Sequence, residues 1–325
     1  MTEPVKQKSA LRRWMPRAAG SLILLGLLFW ILPFDAILDG FAKVPMTLFV
    51  EVLVIFLIGH VVAAAKWWNL LDRGLPFVDA VRAHFAGLAS NLALPGAAGG
   101  DAVRAAVAQV SIKDGAKVIS AGVADRLIDM LGLACLSVAG ILMLERGESG
   151  FALAMQVLAL MVVLVVGVVY IAPRLVPLIW NAVPALPAKG LALRTADSFG
   201  VLGKRPGLLL VSFVVSVAIQ AVFILLTIRL ATVVGVGAPT GAWFFAWPLA
   251  KILAVLPISL NGLGVREATL AGLLTPFGAV ASAVVATGLV WQAMLFVAGG
   301  LGALVLALSG LRQKPAAAVP RKSYE

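Results

Sequence analysis

Charged residues are scarce in this chain. Only 13% of its 325 residues are Asp, Glu, Lys or Arg, whereas 62% are hydrophobic and the mean hydropathy is +1.04. Soluble domains carry about 25% charged residues, so this composition excludes an ordinary soluble domain. Several apolar runs reach the ~20 residues that a bilayer-spanning helix needs. We therefore predict an all-α, polytopic membrane protein.

Cysteine and histidine are rarer still. The single cysteine, Cys135, lies inside an apolar run, which excludes a disulfide framework and a cysteine metal site. The two histidines, His60 and His84, are too few and too far apart in sequence to predict a metal cluster. The sequence contains no G-x4-G-K-[ST] motif, which excludes a P-loop nucleotide site. We expect no metal, no cofactor and no catalytic residue.

Negative charge is also in short supply. The 26 Lys and Arg outnumber the 15 Asp and Glu, which gives a net charge of +11. The basic residues form short clusters beside apolar runs, as between Lys6 and Arg17. In a membrane protein such clusters mark cytoplasmic loops and contact anionic headgroups. We therefore expect anionic lipid at the cytoplasmic face and no nucleic-acid partner.

The distribution of basic residues predicts the topology. With a cytoplasmic N-terminus, the cytoplasmic segments hold 20 Lys and Arg, and the outer segments hold only Lys43 and Arg146. This bias predicts that both termini are cytoplasmic. No small-x-small cleavage site follows the first apolar run, so we expect it to remain as a span. The predicted spans are 18–38, 46–65, 117–144, 151–172, 207–231 and 282–310, and the predicted cytoplasmic segments are 1–17, 66–82, 104–117, 173–206 and 312–325.

Two further apolar regions are interrupted by the same motif, Pro-x4-Gly-x3-Arg. It occurs from Pro95 to Arg104 and again from Pro257 to Arg266. Because Pro and Gly interrupt helices, we predict two broken-helix, re-entrant hairpins. The predicted spans place these hairpins in opposite orientations, which is typical of an inverted repeat. The alternative is a chance coincidence in a glycine-rich chain.

The repeat divides the chain into membrane halves. We predict a first half over 1–172 and a second half over 207–312. The segment 173–206 is rich in proline, tryptophan and basic residues, so we predict an amphipathic linker in the cytoplasmic interface. The Ala/Pro/basic tail at 313–325 is expected to be disordered.

Three groups of residues resemble the transmembrane family of lysylphosphatidylglycerol synthases, also described as flippase-like proteins. The matching residues are Asn91, Pro95, Gly99, Gly100, Asp101 and Arg104, then Asp125, Arg126 and Asp129, then Pro257, Gly262, Gly264, Arg266 and Glu267. The resemblance implies translocation of a membrane lipid across the bacterial inner membrane. Members of the family move aminoacylated phosphatidylglycerol, and relatives are linked to hopanoid or glycolipid export, so the lipid stays open. The chain stops at Glu325, and we expect no synthase activity.

The first motif predicts a headgroup site at a helix N-terminus. Gly99 and Gly100 permit a tight turn and close backbone approach. Asp101 is expected to cap the following helix, and Arg104 lies about one turn further on. Free backbone N–H groups beside a guanidinium would bind a lipid phosphate.

The second motif predicts an equivalent site. Asn261 or Ser259 is expected to cap the helix, Gly262 and Gly264 to form the turn, and Arg266 to lie beside it. The alternative for both motifs is that the glycines only permit tight packing and the arginines pair with local carboxylates, for which Asp101 and Glu267 are available.

Four charged residues lie outside these turns. Asp125 and Asp129 share a helix face with Arg126 between them. Three roles are open for these two carboxylates: they bind a cationic headgroup, they carry protons, or they clamp an arginine. Asp125 is nearer the cytoplasmic boundary, so its substitution is expected to be the milder one. Lys251 is either a counter-charge for a lipid phosphate or a side chain that snorkels to water.

These features favour a lipid transporter over two other classes. An integral-membrane enzyme acting on lipid-linked substrates usually has a catalytic motif in a large loop, whereas the predicted outer loops are short. A non-catalytic partner of a separate lipid-synthesis enzyme is the third possibility, which the sequence leaves open.

Overall fold

The computed structural model describes residues 34–93, 97–144, 148–183, 188–255 and 262–310. Every regular element within these ranges is a helix, which confirms the all-α prediction. The predicted terminal tail and most of the first predicted span lie outside them. The helices are α1 (Phe34–Ala42), α2 (Met46–Leu70), α3 (Phe77–Ala93), α4 (Ala97–Ile112), α5 (Gly115–Leu144), α6 (Glu148–Val166), α7 (Ala172–Ala182), α8 (Lys189–Gly203), α9 (Pro206–Val234), α10 (Thr240–Leu253), α11 (Val265–Leu274) and α12 (Ala281–Gly310).

Five stretches of the described chain are long and apolar enough to cross a bilayer, and each matches a predicted span. These stretches are Met46–Leu70, Gly115–Leu144, Leu158–Ala182, Pro206–Val234 and Ala281–Val305. They make the chain a polytopic membrane protein. The remaining predicted span, 18–38, reaches the described residues only at its end, in α1.

One stretch extends beyond its prediction. A π-helical turn, Gly167–Ile171, joins α6 to α7, so the helix continues into the segment that was predicted to be the linker. Pro173 lies in the first turn of α7. Because the helix is continuous here, Pro173 lacks the N–H for an intrahelical hydrogen bond, and the π-helical turn directly before it accommodates this break in the bonding pattern.

Helical hairpins occupy both predicted broken regions. In the first, α3 packs against α4, and the side-chain oxygen of Asn91 accepts a hydrogen bond of 2.9 Å from the Gly100 N–H. A Cβ at Gly87 would lie 2.8 Å from the Gly100 carbonyl oxygen, so the two backbones touch. In the second, α10 packs against α11, and the turn uses positive φ at Gly262 and Gly264.

The hairpin helices are shorter than the spans. They contain 17, 16, 14 and 10 residues. At about 1.5 Å per residue each is below the ~30 Å thickness of a bilayer core. This length suits re-entrant helices, and insertion from opposite faces stays a prediction.

Each hairpin packs on the long helix that follows the other hairpin. Helix α3 lies against α12, and α10 lies against α5. Glycines permit both approaches. A Cβ at Gly140 in α5 would lie 2.7 Å from the Gly241 carbonyl oxygen in α10, and one at Gly302 in α12 would meet the Phe85 backbone in α3. The close contacts are therefore reciprocal between the halves.

This reciprocity is the packing that two repeats related by a two-fold axis would produce. The interval from Arg104 to Gly140 equals the interval from Arg266 to Gly302. The inverted repeat remains a prediction, and these matched contacts support it.

Alanine substitutions can test the glycine contacts. Gly140→Ala and Gly302→Ala should each destabilise the protein by about 1–3 kcal/mol, because the added methyl group meets backbone atoms that cannot rotate away. Gly122→Ala in α5 and Gly300→Ala in α12 are the matched controls, since a Cβ at either position meets nothing within 4 Å. Thermal melting in detergent should separate the two pairs. Equal melting temperatures would contradict close helix packing at these sites.

Candidate functional site

A cavity of about 210 Å³ lies between the hairpins and the long helices. Residues of α2, α3, α4, α5, α9, α10, α11 and α12 line it, so both halves contribute. Both motif arginines reach this one cavity. The lining residues that the sequence predicted are Asn91, Gly100, Asp101, Arg104, Asp125, Arg126, Asp129, Lys251 and Arg266.

The other predicted site residues support the site from outside. Gly99 lies near the start of α4, and Gly262 and Gly264 form the turn before α11. Glu267 is fully buried beside Arg266. Asn261 and Ser259, the two predicted caps, lie outside the described residues.

The first motif arginine is bound to a carboxylate. Arg104 donates a hydrogen bond of 3.0 Å to Asp125, and its guanidinium lies 4.5 Å from the centroid of the Trp67 ring. Both side chains of the ion pair are 4% exposed. The alternative expectation, that the arginine pairs with a carboxylate, therefore describes this contact.

The expectation that Asp101 caps a helix was wrong. Helix α4 begins at Ala97, so Asp101 lies inside it, one turn beyond its start. Its carboxylate accepts hydrogen bonds of 2.6 and 2.5 Å from the guanidinium of Arg126. This bidentate pair joins α4 to α5.

A buried lysine that the sequence reasoning missed completes this network. Lys66 was predicted to lie in a cytoplasmic segment, but α2 continues past it, and its side chain is 2% exposed. Its ammonium lies 3.1 Å from Asp125, pairs with Asp129, and donates a hydrogen bond of 2.6 Å to Ser216. Ser216 in turn donates to Asp129. Two tryptophans directly after Lys66 were the sequence signal that the apolar helix continues.

The two carboxylates of α5 differ in burial, and the order is the reverse of the expected one. The Asp125 side chain is 4% exposed and that of Asp129 is 21% exposed. Arg104 and Lys66 both bind Asp125, so the helix face, and not the depth along the axis, determines its burial. These contacts are those expected of the third predicted role, in which Asp125 clamps an arginine.

The second motif arginine is also bound to a carboxylate. Arg266 donates to Glu267 at 3.0 and 2.5 Å, to Gln292 at 3.1 Å and to the Gly288 carbonyl at 3.2 Å. Glu267 also accepts a hydrogen bond of 2.7 Å from the Gly264 N–H and so caps α11. The arginine thereby ties α11 to α12.

Lys251 has a different environment. Its ammonium donates a hydrogen bond of 2.7 Å to the neutral amide of Gln220 and lies 5.8 Å from the Phe223 ring centroid. No carboxylate of the described chain lies within 4.0 Å of it. Lys251 lines the cavity without a counter-ion in those ranges.

Ring nitrogens supply further polar groups in the cavity wall. Nδ1 of His60 and Nε2 of His84 lie 3.0 Å apart, so one ring donates to the other. The remaining nitrogen of each ring and Nε1 of Trp247 are buried without a hydrogen-bond partner in the described part of the chain. All three residues line the cavity, and these nitrogens keep unused hydrogen-bonding capacity within its wall.

The model of the family "Lysylphosphatidylglycerol synthase TM region" matches residues 17–302. The chain belongs to this family. A comparison with curated proteins found no match. The match confirms the resemblance carried by the two motifs and the α5 residues, and it indicates a multi-pass membrane protein associated with lipid handling.

In this member of the family, the charges around the cavity do not balance. Each carboxylate is bound to Lys66 or to an arginine. One positive charge, that of Lys251, is left without a carboxylate partner among the described residues. The cations are Lys66, Arg104, Arg126, Lys251 and Arg266, and the carboxylates are Asp101, Asp125, Asp129 and Glu267. An uncompensated charge in a low-dielectric site attracts an anion.

Substitution of the more buried carboxylate of α5 should destabilise the protein more than substitution of the less buried one. Asp125→Asn leaves Arg104 without its buried partner, at a cost of about 3–5 kcal/mol. Asp129→Asn should cost less, because Asp129 is partly exposed and Lys66 keeps its contact with Asp125. Thermal melting of the two variants measures the difference. A lower melting temperature for Asp129→Asn would contradict the clamp.

Proposed function

We propose that the protein is a transporter, not an enzyme, and that it moves a lipid with a phosphate-containing headgroup across the bacterial inner membrane. The observation that carries this proposal is the cavity between the hairpins, with both motif arginines in its wall and an unpaired Lys251. Membership of a lipid-handling family supports it.

The cavity fits a headgroup better than a whole lipid. Its volume of about 210 Å³ is below the ~300–1,000 Å³ of pockets that enclose drug-sized ligands. The Lys251 ammonium would bind the phosphate. A side-chain movement that exposes the ring nitrogens would let Trp247 and one of the two histidines donate to headgroup oxygens, while the other histidine accepts from a headgroup hydroxyl. The acyl chains would stay in the bilayer.

The motif arginines acquire a role that differs from the predicted one. Both guanidiniums are bound to carboxylates, Arg104 to Asp125 and Arg266 to Glu267. In the proposed transporter they hold the hairpins to α5 and α12 and so shape the cavity. The charge that binds the phosphate belongs to Lys251.

Transport requires that the cavity opens to each side in turn. We infer that the two hairpins enter from opposite faces as an inverted repeat, so that movement of either half exposes the headgroup to one face. The reciprocal packing of α3 on α12 and of α10 on α5 supports this arrangement. The energy would come from the lipid gradient or from coupled ions.

Filling the cavity should stop transport. Ala63 lines the cavity from α2, whereas its neighbour Val62 is exposed on the outer surface of the same helix. In proteoliposomes with acyl-labelled phosphatidylglycerol, the wild-type protein should move label between leaflets above the rate in protein-free vesicles. Ala63→Phe should reduce this rate to background, and Val62→Phe should not. Equal rates for the two variants would show that lipid does not pass through this cavity.

Cysteine labelling in cells can test the proposed topology. In a Cys135→Ser background, single cysteines at Lys43 and Gly237 should react with an impermeant maleimide from outside. Cysteines at Arg73 and Gly190 should react only after permeabilisation. All four positions are exposed on the protein surface. The reverse pattern would contradict cytoplasmic termini and the opposed hairpins.

A further inference from the structure

We propose that the cavity selects lipids whose headgroup carries net negative charge and rejects the cationic, aminoacylated lipid after which the family is named. This inference rests on the proposed function and specifies its substrate class. It comes from the charge balance of the cavity and from the partners of each carboxylate.

A lysyl ester of phosphatidylglycerol has two ammonium groups and one phosphate, so its net charge is +1. Recognition of such a headgroup requires carboxylates whose negative charge is not already compensated. Each of the four carboxylates around the cavity already has a cationic partner: Asp101 pairs with Arg126, Asp125 with Arg104 and Lys66, Asp129 with Lys66, and Glu267 with Arg266.

The electrostatics act in the same direction. The charged side chains around the cavity sum to +1, because five cations face four carboxylates. A headgroup with a single phosphate neutralises this charge. A cationic headgroup adds a like charge in a site of low dielectric, where repulsion is strong. A zwitterionic headgroup has no net charge, so its electrostatic interaction with the cavity should be intermediate.

Lys251 is the residue on which this selectivity depends. Its ammonium contacts the amide of Gln220 and the ring of Phe223, and neither carries a charge. Lys251→Gln therefore brings the sum of charges to zero without breaking an ion pair of the described chain. Lys251→Glu reverses the sum to −1 and places a free carboxylate in the cavity, which an ammonium group can use.

The experiment compares three lipids with the same acyl chains and the same acyl label in proteoliposomes. These are phosphatidylglycerol, phosphatidylcholine and lysylphosphatidylglycerol. The wild-type protein should move the anionic lipid at least about tenfold faster than the cationic one, since one charge-assisted contact changes affinity by about that factor. Lys251→Gln should remove most of the difference, and Lys251→Glu should reverse it. Lys43→Gln, in an exposed loop outside the cavity, is the control and should behave as wild type.

The outcomes separate the two proposals. Equal or faster movement of lysylphosphatidylglycerol by the wild-type protein would overturn the charge selection and leave transport standing. Unchanged selectivity in folded Lys251→Gln would exclude Lys251 as its determinant. If no lipid moves, the transport proposal fails. Competition between the same lipids for the detergent-purified protein, measured by native mass spectrometry, then tests the selection: retention of phosphatidylglycerol supports it, and retention of the lysyl lipid overturns it.

Discussion

The contact on which the site depends is the buried network centred on Asp125. Arg104 from α4 and Lys66 from α2 converge on this carboxylate of α5, and Ser216 joins Lys66 to α9 in the second half. A charge removed from water costs several kcal/mol unless a partner compensates it. The network therefore forms only when the first hairpin, α2, α5 and α9 are all in place. Its geometry sets the position of the cavity wall.

The second motif has the same residues but different contacts. Arg104 reaches across to a carboxylate on the following long helix, whereas Arg266 binds the glutamate next to it in sequence. The arginine of the second half therefore uses up a carboxylate of its own hairpin, and no carboxylate of the described chain reaches Lys251. In the predicted first half, three cations face three carboxylates around the cavity. In the predicted second half, Lys251 and Arg266 face only Glu267, so that half supplies the net positive charge.

The sequence predicted the spans and the hairpins because each depends on local properties: the length of an apolar run, and the position of proline and glycine. It also predicted most charged residues of the cavity wall. Lys66 escaped prediction because hydropathy does not distinguish a lysine buried near the end of a span from one in the interface. The partners of Asp101 and Asp125 escaped prediction because depth along a helix does not determine which face a neighbour covers. The contact between His60 and His84 depends on how α2 crosses α3, which no local pattern contains.

Neutralised charges and free charges have different uses inside a membrane protein. The motif arginines are the most recognisable residues in the sequence, yet their ion pairs suit them to build the cavity, while the least distinctive cation, Lys251, is left for the ligand. This division suits the proposed transport. Three free cations would hold an anionic headgroup too tightly for release, whereas a transport site must bind well enough to admit its substrate and weakly enough to let it leave. A single uncompensated charge meets both conditions.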